Sequence, residues 1–283
     1  MNEWFVWGFV ISSAVTHATW NVYTKKSIHK PSFLWSIHLI ASIVFMPFFI
    51  IDIAAAQVDA QQVMLLGATF LFQGMYVILL SKAYQIGEVS QVYPMMRGSA
   101  ALLIPVISLI LYDEKLTLWG WSGLLLIVCG LFALSGIVSA RPTRQLWQIL
   151  LITFSVGLSI TGYTIVDKSI LNFMSPIGLL QIYNLAGFIV LSRSALSSGK
   201  LKQEWSFNRK AIIIGAVMAP GSYLLFLFAI PFAPLSHISP VREFSIVIGT
   251  FWGLIKLKEQ KGFRRIAYAV VITMGMILIS FWG

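Results

Sequence analysis

Ten apolar stretches follow one another along the chain, at roughly 4–24, 33–51, 62–81, 90–112, 116–138, 146–166, 176–192, 211–232, 237–255 and 265–282, with polar residues gathered in the joints between them. A helix needs about 20 apolar residues to cross the hydrocarbon core of a bilayer. The seventh and tenth stretches are the short ones. Strands of a membrane barrel would alternate polar and apolar over about ten residues, and these runs do not. The pattern predicts an all-α integral membrane protein with ten transmembrane helices. The residues ahead of the first run, Met1-Asn2-Glu3, are acidic rather than basic, so that run reads as a span and not as a cleaved leader.

The second half of the pattern repeats the first. At an offset of 142 the first and sixth spans align Ser13 with Ser155, Thr19 with Thr161, Lys26 with Lys168 and Ser27 with Ser169. Pro31 and Pro176 precede the second and seventh spans, and Gly74-Met75-Tyr76 in the third matches Gly221-Ser222-Tyr223 in the eighth. Ser90 and Pro94 in the fourth match Ser236 and Pro240 in the ninth, with Arg97 and Arg242 one residue out of register. Two repeats are therefore expected, residues 1–140 and 141–283. Five spans per repeat is an odd number, so the second copy enters the membrane upside down. Inverted repeats of this kind place a substrate site near the midplane between them.

Charge sharpens the topology. The chain is 58% hydrophobic and 11% charged, with a net charge of +10. That charge is unevenly placed. The odd-numbered joints hold Lys25, Lys26, Lys30, Lys82, Arg141, Arg144, Arg193, Lys200, Lys202, Arg209, Lys210, Lys256, Lys258, Lys261, Arg264 and Arg265, whereas the even-numbered joints hold Lys115 and Lys168. The positive-inside rule puts the odd joints in the cytoplasm and both termini on the non-cytoplasmic side, in what is expected to be a bacterial cytoplasmic (inner) membrane. The basic balance is topological, and no nucleic-acid partner is expected. The single cysteine, Cys129, excludes an intrachain disulfide and reads as a small buried residue of the fifth span. Trp4, Trp7, Trp119, Trp147 and Trp282 fall near span ends, as interfacial belts require.

Arg97 and Arg242 complete the count of basic residues, and they carry the chemistry. An arginine at membrane depth costs several kcal/mol unless it faces protein or a water-filled cavity, and its planar fork recognises carboxylates and phosphates. Glu243 follows Arg242, but neighbours i and i+1 on a helix do not face each other. In the proline-anchored register Glu243 is instead the counterpart of Arg97, which makes a pair across the halves possible, and Glu243 either holds Arg97 between substrates or takes a coupled proton. Ser13, His17, Asn21 and Thr24 form one polar stripe on the first span, repeated by Ser155, Ser159 and Tyr163 on the sixth, and such stripes turn toward the bundle interior. His17 is a second candidate for proton coupling. Gln73, Tyr76, Gln181, Asn184, Ser222 and Tyr223 are further polar residues deep in spans, while Trp20, Tyr93, Tyr163 and Trp252 offer aromatic faces to a cation.

At these residues the chain resembles a known family. The segment GEVSQVYPMMRGSAALLIPVISLILYDEKLT (Gly87 to Thr117) is similar to the signature of the drug/metabolite transporter superfamily, in its ten-helix EamA-type branch. A small-residue span with proline and arginine runs into the acidic turn Asp113-Glu114-Lys115, followed by Gly120, Gly123 and Gly130. APLSHISPVREFSIVIGTFWGLIKLKEQ (Ala233 to Gln260) matches more loosely, and Tyr112 and Lys258 stand where the pattern has glycine. The resemblance implies the fold, but not the substrate, since relatives carry amino acids, nucleotide sugars, phosphorylated sugars or organic cations.

Together these readings lead to an expected function. The chain is expected to be a secondary-active transporter moving a small anionic or zwitterionic metabolite by alternating access, with H+ or a counter-substrate as coupling partner and lipid around it. Its expected substrate-binding residues are Arg97, Arg242, Tyr93, His17, Trp20, Asn21, Gln73, Tyr76, Tyr163, Asn184 and Tyr223, with Glu243 and His17 as coupling residues, and no cofactor or metal. The runner-up is an exporter of organic cations, against which stands the lack of a carboxylate in the first span. A membrane enzyme or scaffold ranks last, because there is no HExxH, no Cys/His cluster and no long loop; the longest runs from about Arg193 to Lys210.

Overall fold

In a computed structural model, the residues described are 3–55, 59–111, 115–135, 143–257 and 262–282. They form α1 (Glu3–Lys26), α2 (Lys30–Ala55), α3 (Ala60–Ile86), α4 (Val89–Leu111), α5 (Leu118–Ser135), α6 (Arg144–Ile170), α7 (Pro176–Ser197), α8 (Leu201–Ala229), a 3-10 turn (Ile230–Phe232), α9 (Leu235–Arg242), α10 (Ser245–Leu257) and α11 (Gly262–Trp282). No strand occurs among the described residues. Among the described residues seven helices are long and apolar enough to cross a membrane (α2, α3, α4, α6, α7, α8 and α11), and residues Leu118–Leu134 of α5 form a shorter apolar helix. In α1 the polar stripe dilutes a helix of sufficient length. The ninth span is shared between α9 and α10, so the ten spans stand. Large apolar side chains point outward around the bundle, among them Leu125, Leu151, Val217 and Phe132, as a lipid-facing surface demands.

Three boundaries differ from the sequence reading, each for a physical reason. The ninth span is not one helix: the bonds Glu243 N–H to Pro240 O, Phe244 N–H to Val241 O, Ile246 N–H to Glu243 O and Val247 N–H to Phe244 O all skip three residues. Pro240 lies inside α9, and just after it the span passes through a tight stretch of 3-10-type bonds, of the kind that marks hinges. The expected loop at Arg193 to Lys210 shrinks to Ser198, Gly199 and Lys200. Gly199 sits there at φ 65, a conformation that glycine adopts without strain. The polar residues after it belong to a first turn of α8, where Glu204 is fully buried and accepts from the His29 N–H at 2.7 Å. The sixth span continues to Ile170, which brings Asp167 inside a helix.

The halves are interleaved. Their counterparts are α1 and α6, α2 and α7, α3 and α8, α4 and α9/α10, and α5 and α11. α1 packs chiefly on α8, as α6 packs on α3; α3 meets α7, as α8 meets α2; α2 and α7 meet each other, as do α5 and α11. Each half thus completes its core with the other, and two inverted five-helix repeats share one interior. The α5–α11 contact shows the two-fold relation atom by atom. A Cβ on Gly123 would strike the Gly275 carbonyl, and a Cβ on Gly275 would strike the Gly123 carbonyl. Gly130 likewise abuts Ile272, so Gly123 and Gly130 pack within one chain, as small residues do where membrane helices approach closely. Cys129 faces outward on α5 and is exposed, contrary to the buried position expected of it. Asp113, Glu114, Tyr112, Lys258 and Glu259, which carried the acidic-turn part of the resemblance, lie outside the described residues.

Candidate functional site

The polar stripe of α1 meets the break in the ninth span at the centre of the bundle. A small cavity there is lined by His17 and Trp20 from α1, Gln73 and Tyr76 from α3, Tyr163 from α6, Tyr183 from α7, Ala219, Ser222 and Tyr223 from α8, and Arg242 from α9. Its volume is about 10 Å³, room for about one water molecule. Seven of the predicted site residues therefore share one wall: His17, Trp20, Gln73, Tyr76, Tyr163, Tyr223 and Arg242. Tyr93 and Asn21 stand just behind it, each bonded to His17 of the lining, while Arg97 and Glu243, the neighbour of Arg242 in sequence, are bonded to each other. Asn184 is fully buried on α7 but does not line the cavity, and Gln181 donates to Ser42 O at 3.1 Å, a packing contact between α7 and α2.

The two arginines are held differently. Arg97 is 1% exposed and its Nε is ion-paired with Glu243, which is equally buried. Its terminal nitrogens Nη1 and Nη2 are buried without a hydrogen-bond partner among the described residues. The pair joins the halves, as the proline-anchored register allowed. Glu243 reaches Arg97 because it caps α9 at the break, where the 3-10 turn rotates it away from its neighbour. Arg242 forms no ion pair with any described residue. Its guanidinium carbon lies 4.4 Å from the Phe226 ring centre and 5.4 Å from that of Tyr223, and its Nε is also buried and unpartnered. Cation–π contact with two rings holds the charge in place while leaving its donors free.

Around these charges run two hydrogen-bonded chains. In the first, Tyr84 Oη donates to Asn21 Oδ1 at 2.7 Å, and the Asn21 amide donates to His17 O at 2.8 Å. His17 Nδ1 lies 3.0 Å from Tyr93 Oη, which donates to Ser245 Oγ at 2.9 Å. This chain ties α3, α1, α4 and the first residue of α10. Beyond it Lys25 Nζ donates to the terminal carbonyls of α3, Tyr84 O at 2.8 Å and Gly87 O at 2.6 Å. In the second chain Asp167 on α6 accepts from Thr69 Oγ1 at 2.6 Å, from Gln73 Nε2 at 3.4 Å and from Tyr223 Oη. Gln73 also donates to Tyr223 Oη at 2.9 Å. Edge-to-face and tilted contacts among Tyr76, Tyr163, Tyr223 and Tyr183, with centroids 5.4 to 5.8 Å apart, complete the box.

Sequence reasoning missed Asp167, because it ended the sixth span at residue 166. Asp167 is fully buried, yet it precedes Lys168 and sits where apolar character has already run out. The offset of 142 held the signal, because it places Asp167 opposite Lys25, another charge at the end of a polar stripe. Tyr183 was missed although it lies mid-span between Gln181 and Asn184, because sequence reasoning picked out those two amides and passed over the tyrosine. His29, His38 and His237 gather no ligand set, and among the described residues no group of three metal-binding side chains occurs.

A model of the EamA-like transporter family matches the chain twice, over residues 4–136 and 146–281. An uncharacterized transporter of Archaeoglobus fulgidus is 21% identical over 251 residues, covering 85% of this chain and 84% of that protein. A solved crystal structure of a protein that is 12% identical overlays 98% of this chain and 96% of its own with a TM-score of 0.65, which shows a shared fold.

Proposed function

The chain belongs to the EamA-like transporter family and is an integral membrane transporter rather than an enzyme, and on that premise we propose that it is a secondary-active carrier of a small anionic or zwitterionic metabolite, bound through Arg242. The observation that carries this reading is a buried guanidinium on the wall of the central cavity with no ion pair among the described residues. A charge left in that state costs free energy, and a carboxylate, phosphate or phosphonate arriving in the cavity offsets it with charge-assisted hydrogen bonds. Arg97 and its unpartnered terminal nitrogens stand behind the same site. Glu243 holds Arg97 there between transport events.

The cavity is far too small for a metabolite, which describes a state between the two open ones of alternating access. The hydrogen-bonded chain through Tyr84, Asn21, His17, Tyr93 and Ser245 closes one end, and the Asp167 cluster closes the other. Opening either end separates elements from opposite halves. The hinge within the ninth span, between Arg242 and Ser245, lets α9 and α10 swing separately. The odd joints face the cytoplasm and the termini lie outside a cytoplasmic (inner) membrane.

The alternative, export of organic cations through the aromatic box, is disfavoured by what the box contains. Its Tyr223 face is already taken by the guanidinium of Arg242, and a second cation there would meet like charge. The deciding experiment measures thermal stabilisation of the purified protein by a panel of anionic and cationic metabolites, beside Arg242→Gln. A ligand that binds the native state raises apparent stability with its concentration. Stabilisation by anions that is lost in the variant supports the reading; stabilisation by cations alone, or an unaltered response in the variant, overturns it.

A further inference from the structure

Among the described residues three buried acids accompany the two interior arginines, and their surroundings differ in kind. Glu204 is tied to a backbone N–H and to Asn208 at the far end of the bundle. Glu243 faces Arg97, whose guanidinium only donates, so a proton on Glu243 would break the pair and leave Arg97 exposed as an unbalanced buried charge. Asp167 has no cation in ion-pairing contact among the described residues. Its three partners are the hydroxyls of Thr69 and Tyr223 and the amide of Gln73. Hydroxyls donate or accept as required. A protonated Asp167 can turn its own O–H onto Tyr223 or Thr69 with no heavy atom moving far. One acid is locked as an anion; the other sits in a cradle that accepts either form.

Charge counting connects that cradle to Arg242. With Arg97 and Glu243 cancelling, the interior holds one positive charge on Arg242 and one negative charge on Asp167. Tyr223 links them, since its hydroxyl bonds Asp167 while its ring lies 5.4 Å from the Arg242 guanidinium carbon. A bound monoanion would leave the interior one charge negative. At membrane depth an unbalanced charge is strongly unfavourable, and a proton on Asp167 removes it. The groups facing Asp167 are Thr69 and Gln73 from α3, Tyr223 from α8, Arg242 from α9 and Tyr163 one turn back on α6; α4, also packed on α6, brings Arg97, already paired.

We propose that Asp167 is the proton-binding site of this carrier, and that it takes up one proton for each anionic charge bound at Arg242. The linkage rests on the anion reading above; the proton site itself does not. Linkage is reciprocal: the anion favours the protonated acid, so the protonated acid favours the anion. Affinity for a monoanion then rises as pH falls, by about tenfold per unit, over the range where the free protein holds Asp167 ionised and the complex holds it protonated. The result is electroneutral movement of H+ together with the anion.

The test has two arms on the full chain. In the first, infrared difference spectra of the ligand-free protein are taken across a pH titration. A protonated-carboxyl band that titrates in the wild type and in Glu243→Gln, and is missing in Asp167→Asn, is the expected result; a titrating band that survives in Asp167→Asn, or no titrating band at all, overturns the assignment. In the second, calorimetry in buffers of different ionisation enthalpy counts protons taken up when methylphosphonate, inorganic phosphate or acetate binds. The wild type should take up one proton per monoanion, and Asp167→Asn should bind the same probe with no proton uptake and no pH dependence. Equal uptake by both proteins, or sodium dependence in place of pH dependence, overturns the linkage. Failure of all three probes to bind the wild type counts against the anion reading and the linkage that depends on it, while the infrared arm still decides whether Asp167 takes the proton.

Discussion

α4 and the ninth span descend from one pattern, proline followed by arginine, and they solve the problem of a buried arginine in opposite ways. α4 stays helical from Val89 through Leu111 despite Pro94 and Pro105, and its Arg97 is neutralised by an acid from the other half. The ninth span breaks after Arg242, and that arginine is left against two aromatic rings without a counter-ion. The break produces both outcomes, because it aims Glu243 across the bundle at Arg97 and away from Arg242. A duplicated motif has become one arginine that joins the halves and one that, on the proposed function, is available to a ligand.

This division of labour is open to attack through substitution. The largest effect should come from Arg97→Met, which strands Glu243 as a buried unpaired charge; breaking such a pair costs about 3–5 kcal/mol, read as a lowered unfolding midpoint in detergent. Next, Arg97→Met combined with Glu243→Met should recover much of that loss, since exchanging a buried pair for apolar residues is often neutral; a double variant as unstable as the sum of the singles would show that the pair is not the unit of stability. Arg242→Gln should leave the unfolding midpoint unchanged or raise it, since it removes a buried charge that has no ion pair among the described residues, yet it should weaken anion binding by about 10- to 100-fold, the worth of a charge-assisted hydrogen bond of about 1.5–3 kcal/mol, measured by ligand-induced stabilisation. Smallest of all, Phe226→Leu removes one of the two rings against Arg242, a desolvated contact of about 2 kcal/mol that the remaining Tyr223 ring partly makes up, and should change anion affinity only a few-fold without touching the Arg97–Glu243 pair.

Much of this was legible before any coordinates. The proline anchor pointed to a Glu243–Arg97 pair, because counterpart residues in an inverted repeat meet near its axis. The stripe of His17, Asn21 and Thr24 pointed inward because polar residues on a membrane helix have nowhere else to go. Other features were hidden by the same physics. A hydropathy window ends a span where polar residues begin, so it cut α6 before Asp167 and started α8 after Glu204, although both helices continue. The break at Glu243 was invisible because proline is tolerated in α4 without one: local sequence states that a hydrogen bond is lost, and the surrounding packing decides whether the helix bends or breaks. Asn184 looked like a site residue from its depth alone, and depth does not say which wall a residue faces.

The water-sized cavity has a consequence for rates. On the alternating-access reading, a ligand bigger than a water molecule cannot diffuse into this conformation; it must wait for an opening that parts Tyr93 from Ser245 or Asp167 from Thr69. Association then proceeds more slowly than where no conformational change is required, and it saturates with concentration at the opening rate itself. The bonds that hold the empty carrier shut therefore act as its clock.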